Sequence, residues 1–289
     1  MTGIMDDMDS RAGSTTSLAR TVIGVYLRRI GGWIAIADLV SLMAALDVPD
    51  PRTRTAVVRL KKKGLLEPKA RGKTLGYELN PSAVPMLARG DRRIYNHRQM
   101  RPEDPWCLVS FSIPEERRDI RYQLRRRLQW IGCGNISPAL WICPDFLSGE
   151  VEDILADLGV RDQATLFRTE RPRTGGPLAD SVAQWWDLEM LAGLHRSFID
   201  RHTPDAELPP WLVTPEAAFR AYITSIDTWR ILPYLDPGLP ADLLPENWPG
   251  QKSMHLFAAL SKKHRDLSHE YVETIVSGPA PHLSQLTTT

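Results

Sequence analysis

Three cysteines in 289 residues are too few, and too irregularly spaced, for a disulfide framework or a structural zinc site. Cys107, Cys133 and Cys143 are odd in number, and two stand in apolar runs, so they read as buried, inert thiols. No stretch approaches the roughly 18 apolar residues that a membrane span needs, so no membrane partner is expected. The opening residues 1–17 carry Asp6, Asp7 and Asp9 where a secretory signal would have a basic start and an apolar core. The expected location is therefore cytoplasmic. Also missing are a Gly-rich phosphate loop, a His-x-x-x-His pair and a Gly-x-Ser-x-Gly elbow. The histidines are scattered, and His195 and His202 lie two helical turns apart, too far to share one metal unaided. No enzyme, no catalytic residue, no metal and no cofactor is expected. There is no internal repeat.

What the chain does have is an uneven charge distribution hidden by a formal net charge of +1. Residues 18–98 hold sixteen Lys/Arg against six Asp/Glu, whereas residues 99–289 hold nineteen against twenty-six. A basic module joined to an acidic one is the electrostatic footprint of a nucleic-acid reader attached to something else. A solvated basic face would give the same totals, so the residue pattern has to decide.

Residues 1–17 are polar and without periodicity, and read as a disordered tail. Ser17 is a plausible N-cap for a helix to Arg29, with Leu18, Val22, Val25 and Tyr26 on its apolar face. Gly31-Gly32 ends it, Trp33–Ile36 reads as a short strand, and Ala37–Leu46 as a second helix. Pro51 suits the first turn of a third helix, which runs to Lys63 and stops at Gly64. Leu65–Glu67 and Gly76–Leu79 then form a hairpin with a basic tip. That order is a winged helix-turn-helix, placed at residues 18–80. Residues 81–104, with Pro81, Pro85 and Pro102, Pro105 just beyond, and the basic run Arg89, Arg92, Arg93, His97, Arg98 and Arg101, read as a linker with a short helix around Ala83 to Ala88. The basic run lies along DNA or keeps the linker soluble.

Residues 105–170 alternate strand, helix, two strands, helix and strand, the βαββαβ order of a ferredoxin-like domain. Its first helix is rich in arginine, from Arg117 to Arg127. Acids at three- and four-residue spacings can pair with them, so a solvated face, an anion or subunit contact, and a further DNA contact all stay open. Residues 177–268 read as a helical C-terminal domain, with helices near Leu178–His202, Pro215–Leu232 and Met254–Leu267. The fold class is thus α+β.

The third helix is the best functional candidate. Arg52, Thr55, Arg59 and Lys62 share one face, while Ala56, Val57 and Leu60 share the other. A helix fits the major groove, where Arg reads guanine and Thr meets a thymine methyl or a phosphate. Thr53, Arg54, Lys61 and Lys63 complete the candidate set on the helix, and Lys69, Arg71 and Lys73 form the tip of the wing. The Pro-led turn before the helix and the basic hairpin after it favour DNA binding over a merely solvated helix. Among the nine tryptophans, Trp185, Trp186 and Trp229 read as core or as an aromatic pocket for a small ligand. In the second case Arg230, Arg171 and Arg173 are candidates for its anionic groups.

Three blocks of sequence resemble the PaaX family, the phenylacetate-degradation repressors of bacteria. The first is Arg52-Thr53-Arg54-Thr55-Ala56-Val57-Val58-Arg59-Leu60 with Gly64-Leu65-Leu66. The second is Trp106-Cys107-Leu108-Val109 with Phe111-Ser112-Ile113-Pro114-Glu115, Arg117-Arg118 and Trp141-Ile142-Cys143-Pro144. The third and most specific is Trp229-Arg230, Leu235-Asp236-Pro237-Gly238-Leu239-Pro240, Leu243-Leu244-Pro245 and Trp248-Pro249-Gly250. The resemblance implies a winged helix, a middle domain similar to the CRISPR adaptation nucleases and a helical C-terminal domain. It also implies a homodimer that represses a catabolic operon and is released from double-stranded operator DNA by an aryl- or acyl-coenzyme A thioester. Two departures stand out. The family's Gly-Phe-Gly is Gly132-Cys133-Gly134 here, and the nuclease's aspartate after the first strand has no counterpart in Phe111-Ser112-Ile113. Nuclease chemistry is therefore not expected. The other classes weighed are a nuclease-like or coenzyme A ester enzyme and a nucleic-acid adaptor without a small ligand.

Overall fold

Ser14, rather than Ser17, opens the first helix, α1 (Thr15–Val22), by accepting the Ser17 N–H at 3.3 Å. The computed structural model describes residues 11–276, so most of the expected disordered tail lies outside the described residues. Within it, residues 11–17 are ordered and their backbone is engaged. α1 runs on into a π-helical turn, Ile23–Leu27. Gly31 and Gly32 then turn the chain with positive φ into β1 (Trp33–Ala35), which leads to α2 (Ile36–Ala44). Next come α3 (Asp50–Lys62), β2 (Leu66–Pro68) and β3 (Gly76–Leu79). The three strands form an antiparallel sheet in the order β1-β3-β2.

α4 (Val84–Tyr95) fills much of the segment expected to be a linker. Pro85 is no obstacle, because it falls in the first turn, where its missing N–H has no helical partner. Then follow β4 (Trp106–Phe111), α5 (Arg118–Trp130), β5 (Gly134–Ser137), β6 (Leu140–Pro144), α6 (Ser148–Asp157) and β7 (Ala164–Thr169). These strands make a second antiparallel sheet in the order β5-β6-β4-β7. The C-terminal region is helical: α7 (Leu178–Trp185), α8 (Leu188–Glu207), α9 (Pro215–Trp229), the short α10 (Leu232–Leu235) and α11 (Gly250–Val276). The single helix expected over 178–202 is two. Trp186 is extended, and the Asp187 carboxylate restarts the helix by accepting the Met190 N–H at 2.9 Å. α11 extends nine residues past the expected Leu267. The architecture is mixed α+β. Among the described residues no helix is long and apolar enough to cross a membrane.

The chain divides into two compact units that do not follow its order in sequence. One takes the described residues up to 89 together with 202–228 and 256–276. Its buried apolar residues include Leu18, Val22, Ile23, Tyr26 and Leu27 from α1 and its π-helical turn, Leu39, Met43, Val57 and Leu60, and, from the C-terminal region, Phe219, Tyr222 and Leu260. The Tyr26 ring stands 6.0 Å from that of Phe219 and edge-on to His269 at 5.5 Å, and its hydroxyl bonds that of Ser268. Burial pushes the Tyr26 phenol well above its ordinary range. Lys263 closes the end of α8 by donating to the carbonyls of Asp205, Ala206 and Leu208.

The other unit takes residues 90–201 and 229–255. Here the period-2 alternation of β4 explains both faces of the sheet. Cys107, Val109 and Phe111 face a core with Leu124, Leu128, Val151 and Leu155. Trp106 faces the opposite way, with Ile142, Trp186, Leu191 and Leu239. Both faces are therefore covered, which accounts for strands that read as continuous apolar runs. Gly134 is required on β5, since a Cβ there would come within 2.7 Å of the Trp186 ring. All three cysteines are buried and free. The neighbouring Cys143 thiol and burial hold the Cys107 thiol protonated.

Candidate nucleic-acid interface

α3 sorts its residues by a rotation of about 100° per position. Thr53, Ala56, Val57 and Leu60 are buried, whereas Arg52, Arg54, Thr55, Arg59, Lys61 and Lys62 are exposed, as is Lys63 just beyond. Thr53 is thus the one candidate on this helix that does not face solvent. It is fully buried, and its hydroxyl lies within 3.4 Å of the Pro49 carbonyl, so it belongs to the packing face. Two of the exposed residues are held by their own helix. The Arg54 guanidinium pairs with Asp50 at 2.6 Å, and the Thr55 hydroxyl donates to the Pro51 carbonyl at 2.9 Å. Gly64 ends the helix with φ +72°, a backbone conformation that a Cβ would strain.

The wing candidates are exposed on the β2–β3 hairpin, whose tip closes through an Arg71–Thr74 bridge with Gly72 at φ +60°. They are not equivalent. Lys69 pairs with Glu78 at 3.3 Å, and the Arg71 guanidinium lies 4.7 Å from the centre of the Trp33 ring. Lys73 makes no ion pair or hydrogen bond to another described residue.

Three residues that sequence reasoning did not select hold this surface in place. Asp227 on α9 is buried, and its carboxylate accepts the Gly13 N–H at 2.7 Å, the Ser17 hydroxyl at 2.5 Å and the Thr21 hydroxyl at 2.8 Å. Asp47, in the turn between α2 and α3, forms an ion pair with Arg220 of α9. That pair holds the Asp47 carboxyl below its usual range and raises the Arg220 guanidinium. One signal for Asp227 was present: it is the only acid between Ala217 and Leu235, in the midst of apolar residues. Nothing in the sequence says that its partners lie two hundred residues earlier.

The remaining candidates fall in the other unit. Trp186 is buried, and its indole N–H donates to the Gly132 carbonyl at 2.8 Å. Trp229 is buried against Phe198 and His97, and donates to the Ile94 carbonyl at 3.0 Å. Both indole N–H groups are satisfied by backbone carbonyls, which fits the core alternative of the two readings. Trp185 is half-buried beside Trp186, and Arg230 is buried. Arg171 and Arg173 are exposed, with Arg171 3.6 Å from Asp242. Part of the basic run is committed to the protein itself, while Arg92 and Arg101 are exposed. Arg93 pairs with Glu150 at 2.9 Å and reaches the carbonyls of Ile131 and Pro233, and Arg98 pairs with Asp104 and lies over Phe146. On α5, Arg121 pairs with Glu115, Arg127 with Asp157, and Arg125 donates to the Pro138 carbonyl.

A Ser–His–Asp contact also occurs in this unit. His195 Nδ1 lies 2.6 Å from Ser253 Oγ, and Nε2 lies 2.9 Å from Asp236 Oδ2. All three side chains are buried, and the Ser253 hydroxyl also donates to the Gly250 carbonyl at 2.8 Å. The group therefore reads as an internal tie between α8, α11 and the Asp236 segment, with no open face for a substrate. Among the described residues no cluster of His, Cys, Asp or Glu could hold a metal ion.

Comparison with known proteins agrees with this layout. Residues 14–83 match the family model described as PaaX-like protein, residues 99–181 the PaaX protein central Cas2-like domain, and residues 186–274 the PaaX-like protein C-terminal domain. The chain is 28% identical over 251 residues to the transcriptional repressor PaaX of Escherichia coli strain K12, covering 84% of this chain and 78% of that protein. It is similar in fold to the solved structure of an uncharacterised protein from Mycobacterium tuberculosis, with a TM-score of 0.55 and 22% identity, over 87% of this chain and 99% of that one. With all three domain models matched in order along one chain, the protein belongs to the PaaX family.

Proposed function

We propose that the chain is a cytoplasmic transcriptional regulator that reads double-stranded operator DNA through a winged helix-turn-helix. The observation that carries this reading is α3: one face is sealed into the core by Thr53, Ala56, Val57 and Leu60, and the opposite face offers Arg52, Arg59, Lys61 and Lys62 to solvent. The hairpin beside it presents Lys69, Arg71 and Lys73, in keeping with a wing that follows the phosphate backbone. The middle domain has the βαββαβ order and the strand order β5-β6-β4-β7, which support a ferredoxin-like reading and suit a subunit contact. A homodimer fits the DNA-reading role, because one winged helix alone buries too little surface for tight, specific binding. Repression of a catabolic operon, relieved by an aryl- or acyl-coenzyme A thioester, is the reading that the repressor relative favours. Of the residues considered for that effector, Trp185, Arg230, Arg171 and Arg173 remain candidates.

Fluorescence anisotropy with the chain's own upstream DNA tests the proposal. Arg52→Ala or Arg59→Ala is expected to weaken binding by roughly 1–3 kcal/mol each if the arginine contacts a guanine. Addition of phenylacetyl-coenzyme A or a short acyl-coenzyme A is expected to release the DNA. Unchanged affinity and salt dependence in the double variant would overturn the assignment of α3. Release by no thioester at millimolar concentration would overturn the effector class.

A further inference from the structure

The exposed face of α3 has an apolar centre. Taking 100° per residue, the direction opposite the buried Thr53, Ala56, Val57 and Leu60 is occupied by Pro51, Thr55, Val58 and Lys62. The cations Arg54 and Lys61 flank this strip on one side, and Arg52 and Arg59 on the other. Val58 is 53% exposed. A β-branched side chain on an outward helical face loses rotamer freedom and is a poorer helix former than the Arg and Lys around it. It finds no compensating burial in the protein's own core. Thr55 adds to the strip. Its hydroxyl is bonded back to the Pro51 carbonyl at 2.9 Å, which leaves the Cγ2 methyl as the part of the side chain available to a partner. Arg54 is drawn to the flank by its pair with Asp50.

In the major groove the apolar feature that base edges present is the C5-methyl group of thymine. We propose that Val58, together with the Thr55 methyl, reads thymine methyl groups, so that each half-site carries thymine at the positions facing this strip. The inference rests on the DNA-reading role of α3 and names what the centre of that face recognises. The flanking arginines and lysines reach phosphates or guanines on either side of the contacted thymines. Specificity at the centre then comes from removing methyl and isopropyl surface from water rather than from a hydrogen bond.

The test uses the full chain and duplexes that it selects from a random-sequence library. Each thymine of the recovered consensus is replaced singly by deoxyuridine, which removes the methyl and keeps every hydrogen-bonding group. Affinities are measured by anisotropy for the native chain and for Val58→Ala. The expected result is a loss of about fourfold at one or two positions per half-site for the native chain, the worth of one buried methyl. Val58→Ala is expected to bind the thymine duplex more weakly and to show no further loss with deoxyuridine at its own position. Alanine is the better helix former at this exposed site, so circular dichroism should show the fold intact. Equal deoxyuridine losses in both proteins, or no loss at any thymine, would overturn the inference while leaving α3 as the reader. Recovery of no preferred sequence would overturn the DNA-reading role itself, and this inference with it.

Discussion

Arg220 forms an ion pair with Asp47, the residue whose left-handed backbone, at φ +59°, turns the chain out of α2. α9, from the helical C-terminal region, thereby grips the turn that sets the direction of α3, the helix proposed to enter the groove. About two turns further along the same helix, Asp227 grips α1 through Ser17 and Thr21. Two points on one rigid helix therefore fix two of the three helices around the reading surface.

Arg220→Ala should weaken DNA binding without unfolding the protein. The pair is largely solvated, so its loss should barely move the melting temperature. The orientation of α3 is more sensitive than the global fold, and affinity for operator should fall severalfold, with a larger fall at low salt. Anisotropy beside a thermal melt checks this; equal affinity would mean that the turn holds its shape unaided.

Asp227→Ala should be costly. It leaves the Gly13 N–H and two hydroxyls without their acceptor in a buried place, and a loss of roughly 3 kcal/mol is expected. The loss should be local at first. Hydrogen exchange of residues 13–21 should accelerate before that of the sheet formed by β4 to β7. Uniform acceleration everywhere would show that Asp227 supports the whole fold instead.

Lys73→Ala and Arg71→Ala should differ at the wing. Lys73 is not engaged by another described side chain, so its removal should lower the salt slope of DNA binding by about one unit for every sequence alike. Arg71 also rests on Trp33, so its removal should in addition loosen the hairpin, visible as faster exchange at Gly76 and Tyr77. A sequence-selective loss on removing Lys73 would mean that the wing reads bases.

Stability should fall on mild acidification. Burial lowers the imidazoles of His97, His264 and His269 below the ordinary 6.5. Each is held neutral in the folded protein and protonates on unfolding, so its contribution is complete above about pH 6.5 and is lost as pH falls through the lowered value. Asp236 behaves differently. Burial alone would raise it, but hydrogen bonding and charge from His195 and His97 bring it below 3.8, so its contribution survives until more acid conditions. Urea midpoints should therefore decline from pH 7 to pH 5, and His97→Gln should flatten that decline. A midpoint constant over this range would contradict the assignment.

α3 was legible because its signals are local: Pro51 near the start, Gly64 past the end, and apolar residues at helical spacing. The same spacing contains the correction. Thr53, Ala56 and Leu60 stand at i, i+3 and i+7, so Thr53 belongs with the core, although it sits between two arginines. β4 to β7 were legible as short apolar runs bounded by turn residues, and α5 from the acids and Pro114 before it. The break between α7 and α8 was not, since neither Trp186 nor Asp187 is a helix breaker. It arises because the Trp186 indole is claimed by the Gly132 carbonyl. Least legible was the composition of the reader's own unit. The bonds from Ser17 and Thr21 to Asp227 span 210 and 206 residues, and no window of sequence reports such a pairing.

Those separations also set a timetable. Synthesis delivers α1 to β3 early, but Asp227 and Ser268, which complete the setting of Ser17 and Tyr26, follow 210 and 242 residues after their partners, and Phe219 also comes from that late region. At about 5–20 residues per second the interval is on the order of ten seconds or more. During it the side of Tyr26 that will meet Phe219 and Ser268 stays uncovered, and the entropy of closing so long a loop is still unmet. The segment proposed to read DNA is thus the first part made and the last part finished. A chain that stops short of α11 would lack part of the unit that holds α3, so the proposed DNA binding is expected only of proteins whose translation has passed that helix.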